Sequence, residues 1–232
     1  MIGALIWDVD GTLSETEETQ RCAFNETFRA FAIDWNWDRH TYQRLLLTSG
    51  GLQQLRVYAD ETGAELSDDL LRRIYADKTH RYVRLLERGG APLRPGVAAL
   101  IAAAQRHGVR QAIATTTSRA KVEALIAATL DRPAAEVFQV IAAGDEVRIQ
   151  KPAPDVFMLA LARLGLPASD CIVIEDSQAG MTAARAAGLR VLITPSEYAR
   201  DTDFSAADWV LPDLTAPLPD PLSCLMEQHR VA

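Results

Sequence analysis

Four short polar clusters stand out because each follows an apolar run and each carries side chains able to do chemistry on a phosphate ester. The first is Asp8-Val9-Asp10-Gly11-Thr12. A carboxylate such as Asp8 can attack phosphorus and form an acyl phosphate. A second carboxylate two residues on, Asp10, projects from the same chain end and can protonate a leaving oxygen, then take a proton from water. The other clusters are Thr115-Thr116-Thr117-Ser118, Lys151-Pro152 and Glu175-Asp176-Ser177. The Thr115 hydroxyl and the Thr116 amide can hold phosphoryl oxygens, and Lys151 can offset the negative charge gathered on Asp8 and the transferring group. Mg²⁺ takes hard oxygen ligands and keeps several waters. Asp8, the backbone carbonyl of Asp10 and the acidic pair Glu175 and Asp176 supply such oxygens, with Asp176 the first choice within the pair.

Residues this far apart act together only if the fold brings them to one place. Residues 2–7, 109–114, 137–142, 171–174 and 189–193 are short apolar runs that read as fully buried strands, with 209–211 a final short one. Between them lie helical patterns. Val97, Leu100, Ile101 and Ala104 form one stripe, Val122, Leu125 and Ile126 another, Phe157 to Leu164 a third, and Ala179 to Ala187 a fourth. Strands alternating with helices predict an α/β fold, a Rossmann-like parallel sheet covered on both faces. In such sheets ligands bind beyond the carboxyl ends of the strands, where all four clusters fall.

Residues 15–86 are charged and amphipathic with no clear strand. They predict four helices, at about 16–32, 38–47, 51–62 and 68–87, that form an all-helical cap inserted into the core. The expected division is therefore a core of 1–14 and 87–232 with a cap of 15–86. The proline-rich tail from about 212 is expected to lie over the surface. Trp35 and Trp37 read as packing residues rather than as a platform for substrate, and His40, His80 and His107 have no metal-ligand spacing.

Bulk properties remove whole classes of function. The chain has 232 residues, 48% of them hydrophobic, and a formal net charge of -7. Nucleic acids and anionic membranes are gripped by clustered Lys and Arg, and no such stretch is present. Cys22, Cys171 and Cys224 are scattered without a metal or redox spacing and read as free thiols. No apolar stretch approaches the roughly 20 residues of a membrane span, and no signal segment is visible. A monomeric cytoplasmic protein is the expectation.

Taken in order, Asp8-Val9-Asp10-Gly11-Thr12-Leu13, Thr115, Lys151-Pro152 and Glu175-Asp176-Ser177 resemble the four motifs of the haloacid dehalogenase superfamily, across essentially the whole chain. The position of the helical insertion resembles the helical-cap subgroup, with its phosphoglycolate phosphatases and β-phosphoglucomutase. Longer stretches, among them Ala23–Phe28, Ile113–Thr117, Ile141–Val147 and Thr194–Tyr198, are similar to CbbY-type sugar-phosphate phosphatases.

The resemblance implies a Mg²⁺-dependent phosphatase acting on a small phosphorylated sugar, notably the ketose bisphosphate xylulose-1,5-bisphosphate, through a phosphoaspartate on Asp8. A helical cap would close over the substrate and exclude water until that intermediate has formed. A phosphomutase is the rival reading, since the same residues would serve it. A dehalogenase would not need Asp10, and an inactive binding protein would not need all four motifs. In the cap the resemblance points to Lys78 as a residue that reaches substrate. Glu17 is assigned to sugar hydroxyls, and Gly50-Gly51 to a close backbone approach. The chain departs from the CbbY pattern at Gln20, Leu47 and Leu52, where a histidine and two basic residues are common. Arg44, Lys78 and Arg81 are the cations available to compensate.

Overall fold

Apolar runs that end at a polar residue become the central strands because only a sheet covered on both faces can bury them without interruption. The computed structural model describes residues 2–48 and 50–226, so the last six residues of the proline-rich tail lie outside it. In chain order the elements are β1 (Ala4–Trp7), α1 (Glu17–Ala30), α2 (Arg39–Leu45), α3 (Gly51–Thr62), α4 (Asp68–Glu87), α5 (Val97–Arg106), β2 (Arg110–Ala114) and α6 (Arg119–Leu130). Then come α7 (Ala134–Val137), β3 (Val140–Ala142), α8 (Asp155–Leu164), β4 (Cys171–Glu175), α9 (Gln178–Ala186), β5 (Arg190–Ile193), β6 (Trp209–Val210) and α10 (Ser223–Met226). Among the described residues the six strands form one sheet in the order β3-β2-β1-β4-β5-β6, every neighbouring pair parallel. This is the α/β core that the strand and helix pattern predicts.

The chain divides into two compact units, Met1–Glu15 with Pro92–Ala232, and Thr16–Ala91. The second crossing falls after Ala91, five residues beyond the expected position. Thr19 Oγ1 donates to the Gly90 carbonyl at 2.5 Å, and this holds the turn after α4 with the helical unit.

In the first unit the strand order puts β1 between β2 and β4, so Asp8 leaves the sheet at its centre. Ile6 pairs with Ala112 on one side and Val173 on the other. These residues, with Ala114, Phe157, Ala160 and Met181, belong to one buried cluster under α8 and α9. The third strand is shorter than its apolar run suggests. Val137 closes the one-turn helix α7 that starts after Pro133, and pairing begins only at Val140.

The second unit has its own core. α1 carries Phe24 and Phe28 inward, and Trp37 sits between them with ring centroids 4.5 and 5.0 Å away. Asn25 fixes the Trp37 backbone from both ends: its Nδ2 donates to the Trp37 carbonyl at 2.8 Å, and its Oδ1 accepts from the Trp37 amide at 2.8 Å. Trp35 stacks edge-on to Phe28 at 5.4 Å. Both tryptophans are packing residues, as expected. Helix ends follow local chemistry. Asp38 caps α2 by accepting from the Thr41 amide at 2.7 Å, and Ser67 caps α4 through the Leu70 amide at 3.2 Å.

The Trp37 indole N–H is fully buried and has no acceptor. Trp37→Ala is therefore expected to destabilise by about 3–5 kcal/mol through the cavity it leaves. Trp37→Phe should cost far less, because it also removes a buried donor whose lack of a partner costs about 1–3 kcal/mol. Urea titrations of both variants check the order.

Candidate active site

Lys151 is the centre of the site. The residue is 6% exposed, and its ammonium donates to Asp8 Oδ1 at 2.7 Å, Glu175 Oε1 at 2.7 Å and the Ala114 carbonyl at 2.9 Å. An ammonium has three protons, and each goes to the end of a different strand: β1, β4 and β2. Burial works to lower the Lys151 pKa, but the charges of Asp8 and Glu175 outweigh it and raise it. The side chain of Phe157 covers the ammonium, with its ring centroid 4.8 Å away.

Glu175 is fully buried, and its second oxygen is spoken for as well. Oε2 accepts from the Asp176 amide at 2.8 Å, the Ser177 amide at 2.9 Å and the Ser177 hydroxyl at 3.0 Å. Ser177 in turn caps α9 by accepting from the Gly180 amide at 3.1 Å. Gly180 is required here, because a Cβ would overlap the Glu175 carboxylate. A sequence that ends a strand in Glu-Asp-Ser and opens a helix with a glycine three residues on thus builds a socket for one carboxylate.

Asp8, Glu175 and Asp176 bring carboxylate oxygens within 4.8 Å of one another, all three residues buried. Two carboxylates sharing one ammonium leave a surplus of negative charge. Burial is the largest cause that pushes the Asp8 carboxyl up, to about 7. Lys151 opposes it and Glu175 adds to it. A buried cluster of oxygen donors short of positive charge is the donor set that a hard divalent cation suits. Thr12 Oγ1 donates to Asp176 Oδ1 at 3.4 Å. Gly11, at φ +80°, lies so close to the Asp176 carboxylate that a Cβ would collide with it. The sharp turn after Asp10 therefore keeps room for the acidic group.

Asp10 is half-buried, and the Thr117 hydroxyl donates to its Oδ2. Thr115 is buried. Its amide donates to the Ala142 carbonyl at 3.1 Å and its Oγ1 accepts from the Thr117 amide at 3.1 Å. Thr116 is half-buried beside it. So Asp8, Asp10, Thr115, Thr116, Lys151, Glu175 and Asp176 all stand at the carboxyl ends of β1, β2 and β4 or in the loop after β3.

Glu17, Gly50, Gly51 and Lys78 belong to the other unit. Glu17 opens α1 and accepts from the Tyr42 hydroxyl at 3.1 Å. Lys78 is buried, donates to Gln20 Oε1, and lies 4.6 Å above the Phe24 ring and 5.2 Å from the Tyr82 ring. Gly50 takes φ +88° before α3. At Gly51 a Cβ would stand 2.8 Å from the Tyr75 ring and 3.2 Å from Phe24, so close helix packing already calls for glycine there. Of the cations offered as compensation, Arg44 is bound by both oxygens of Glu61 at 2.5 and 2.7 Å, and Arg81 by Asp77 at 2.6 Å. Leu47 is exposed and Leu52 half-buried.

Two residues escape sequence reasoning. Thr117 is hidden in a run of hydroxyl residues that reads as a helix start. Arg94 is a lone cation before Pro95-Gly96 with no periodic signal. It is nearly buried, pairs with Glu15 at 3.1 Å, and donates to the carbonyls of Gly11, Thr194 at 2.7 Å and Pro195 at 2.8 Å. It ties the loop after β1 to the loop after β5.

A family model described as haloacid dehalogenase-like hydrolase matches residues 2–188. The chain belongs to this family. Within the haloacid dehalogenase-like hydrolases it is 55% identical over 213 residues to protein CbbY of Rhodobacter capsulatus, covering 92% of this chain and 94% of the relative. Protein CbbY of Cereibacter sphaeroides is 45% identical over 229 residues, 94% of this chain and 100% of the relative. Among solved structures, CbbY from Rhodobacter sphaeroides in complex with phosphate superimposes with a TM-score of 0.88 at 46% identity, covering 93% of this chain and 96% of that one. A mutant of that protein in complex with xylulose-1,5-bisphosphate gives 0.90 at 45% identity, covering 94% and 96%. The chain is thus an enzyme, a haloacid dehalogenase-type phosphatase of CbbY kind.

The loop after β3 has its own electrostatic anchor. Glu146 Oε1 accepts from Arg163 at 2.8 Å and its Oε2 from the Ala143 amide at 2.9 Å, with Arg119 3.2 Å away. The hydrogen bond from Arg163 is the largest cause that lowers the Glu146 carboxyl, to about 2. A carboxyl depressed in the folded state adds stability above its unfolded pKa and loses it as pH falls. Urea midpoints of the native chain should therefore drop between about pH 4.5 and 2 through this group, and Glu146→Gln should flatten that part of the curve.

Proposed function

We propose that the chain hydrolyses a small sugar phosphate, with xylulose-1,5-bisphosphate the first candidate, through a phosphoaspartate on Asp8 and with the help of Mg²⁺. The observation that carries the chemistry is Asp8 itself. It is a buried carboxylate at the centre of the sheet, held by an ammonium that has no other anionic partner than Asp8 and Glu175 among the described residues. Support for the substrate comes from the bisphosphate bound to a structural relative at 45% identity. β-Phosphoglucomutase structures are 19–20% identical and share the fold alone, so nothing favours the mutase reading over hydrolysis.

In this mechanism Asp8 attacks phosphorus in line with the leaving sugar oxygen. Lys151 balances the charge on Asp8 and on the transferring group, while the Thr115 hydroxyl and the Thr116 amide hold its oxygens. Asp10 gives its proton to the departing sugar oxygen. The same carboxylate then takes a proton from the water that attacks the phosphoaspartate, and inorganic phosphate leaves. Asp8, the Asp10 carbonyl and Asp176, with Glu175 beside them, would hold Mg²⁺. When bound, the ion neutralises phosphoryl charge and favours the ionised form of Asp8. In the other unit, Glu17, Gly50, Gly51 and Lys78 are the residues assigned to the sugar and its distant phosphate.

Phosphate release from xylulose-1,5-bisphosphate, other sugar mono- and bisphosphates, phosphoglycolate and nucleotides tests the substrate. The bisphosphate is expected to give the highest kcat/KM. A clear preference for a monophosphate would reject the bisphosphate assignment and direct attention to Gln20, Leu47 and Leu52. Asp8→Asn should lower turnover by roughly 10⁴-fold or more with an unchanged circular dichroism spectrum, and substantial turnover in the purified variant would sink the covalent mechanism. EDTA should abolish phosphate release and excess Mg²⁺ restore it.

A further inference from the structure

The Thr117 hydroxyl donates to Asp10 Oδ2, and the backbone around it leaves little freedom. The Thr117 amide donates to Thr115 Oγ1 at 3.1 Å, and its carbonyl accepts from the Gly144 amide at 3.0 Å. Gly144 lies flush against the Thr116 carbonyl, where a Cβ would overlap it. One residue earlier, the Thr115 amide is held by the Ala142 carbonyl at 3.1 Å. The loop after β2 is thus stitched to the end of β3 at successive residues, and Thr117 is carried to Asp10. The other side of the contact is equally fixed. The Gly11 amide donates to the Ser14 carbonyl at 2.8 Å, and Arg94 holds the Gly11 carbonyl.

We propose that Thr117 is a positioning residue for the proton transfers of Asp10. Its hydroxyl holds Oδ2 and so fixes the rotation of the carboxylate about its side-chain bond. A hydroxyl both donates and accepts, so the same contact survives when Asp10 is charged and when it is protonated. The inference rests on the reading of Asp10 as the acid that serves the leaving group. Protonation matters for an alkoxide leaving from a sugar phosphate. It matters little for acetate leaving from acetyl phosphate or for nitrophenolate leaving from p-nitrophenyl phosphate.

The experiment compares kcat/KM for xylulose-1,5-bisphosphate, or the sugar phosphate that the substrate screen selects, with kcat/KM for acetyl phosphate and p-nitrophenyl phosphate. This parameter covers events up to departure of the leaving group. Thr117→Val should lose about 10–100-fold on the sugar phosphate, the range that a hydrogen bond to a charged group is worth, and no more than about threefold on the two activated esters. Thr117→Ser should restore the sugar phosphate rate to within about threefold of the native enzyme. The ratio between esters is taken on one preparation, so a partly folded variant still gives a valid reading. Equal losses on all esters would reduce Thr117 to a loop support and overturn the inference, as would no loss at all or failure of Thr117→Ser to recover. Asp10→Asn is the control. If it shows no ester-dependent loss, the role of Asp10 falls and the inference with it. If it shows the loss and Thr117→Val does not, the inference alone falls.

Discussion

A single buried ammonium holds three strand ends together. Lys151 spends all its protons on Asp8, Glu175 and the Ala114 carbonyl, and these residues terminate β1, β4 and β2. The arrangement is costly to form, because charges must leave water. It is costlier to break, since removing one member of a buried ion pair destabilises by about 3–5 kcal/mol. The lysine therefore joins fold and chemistry. It sets the spacing between Asp8 and the acidic pair, and it leaves those three carboxylates with one ammonium to balance them.

The small and awkward residues follow from this constraint. Gly180 exists because the Glu175 carboxylate needs the space above α9, and Gly11 because the turn after β1 passes against Asp176. Arg94 works from the opposite side, where it gathers the carbonyls of Gly11, Thr194 and Pro195. The helical unit solves a separate problem with separate means. Its core is aromatic, centred on Phe24, Phe28 and Trp37, and the deeply buried Lys78 faces aromatic rings and the amide of Gln20.

Much of the core was legible from the chain because buried parallel strands are nearly continuous apolar runs, and because polar residues cannot follow them unless they have a use. Asp8, Thr115, Glu175 and Asp176 all announce themselves in that way. The helices of 15–86 were legible from their period. What stayed hidden is what depends on distant neighbours. The hydroxyl of Thr117 meets a carboxylate 107 residues earlier in the chain, and Arg94 reaches carbonyls 83, 100 and 101 residues away. Neither has a local pattern. The start of β3 was misplaced for a local reason: Val137 is apolar whether it ends the turn after Pro133 or begins a strand, and periodicity over so short a run does not distinguish the two.

The strand order has a consequence for how the enzyme is made. β1 leaves the ribosome first, yet it occupies the middle of the sheet and needs β4 on its far side. At a synthesis rate of ~5–20 residues per second, the wait for that neighbour is roughly 10–30 s. Until β4 and the segment after β5 have been made, Lys151 has no Glu175 to pair with and Arg94 lacks its acceptors at Thr194 and Pro195. The nascent polypeptide exposes an apolar strand and holds no assembled charge cluster. The charge cluster around Lys151 can assemble only once Glu175 and Asp176 have been synthesised.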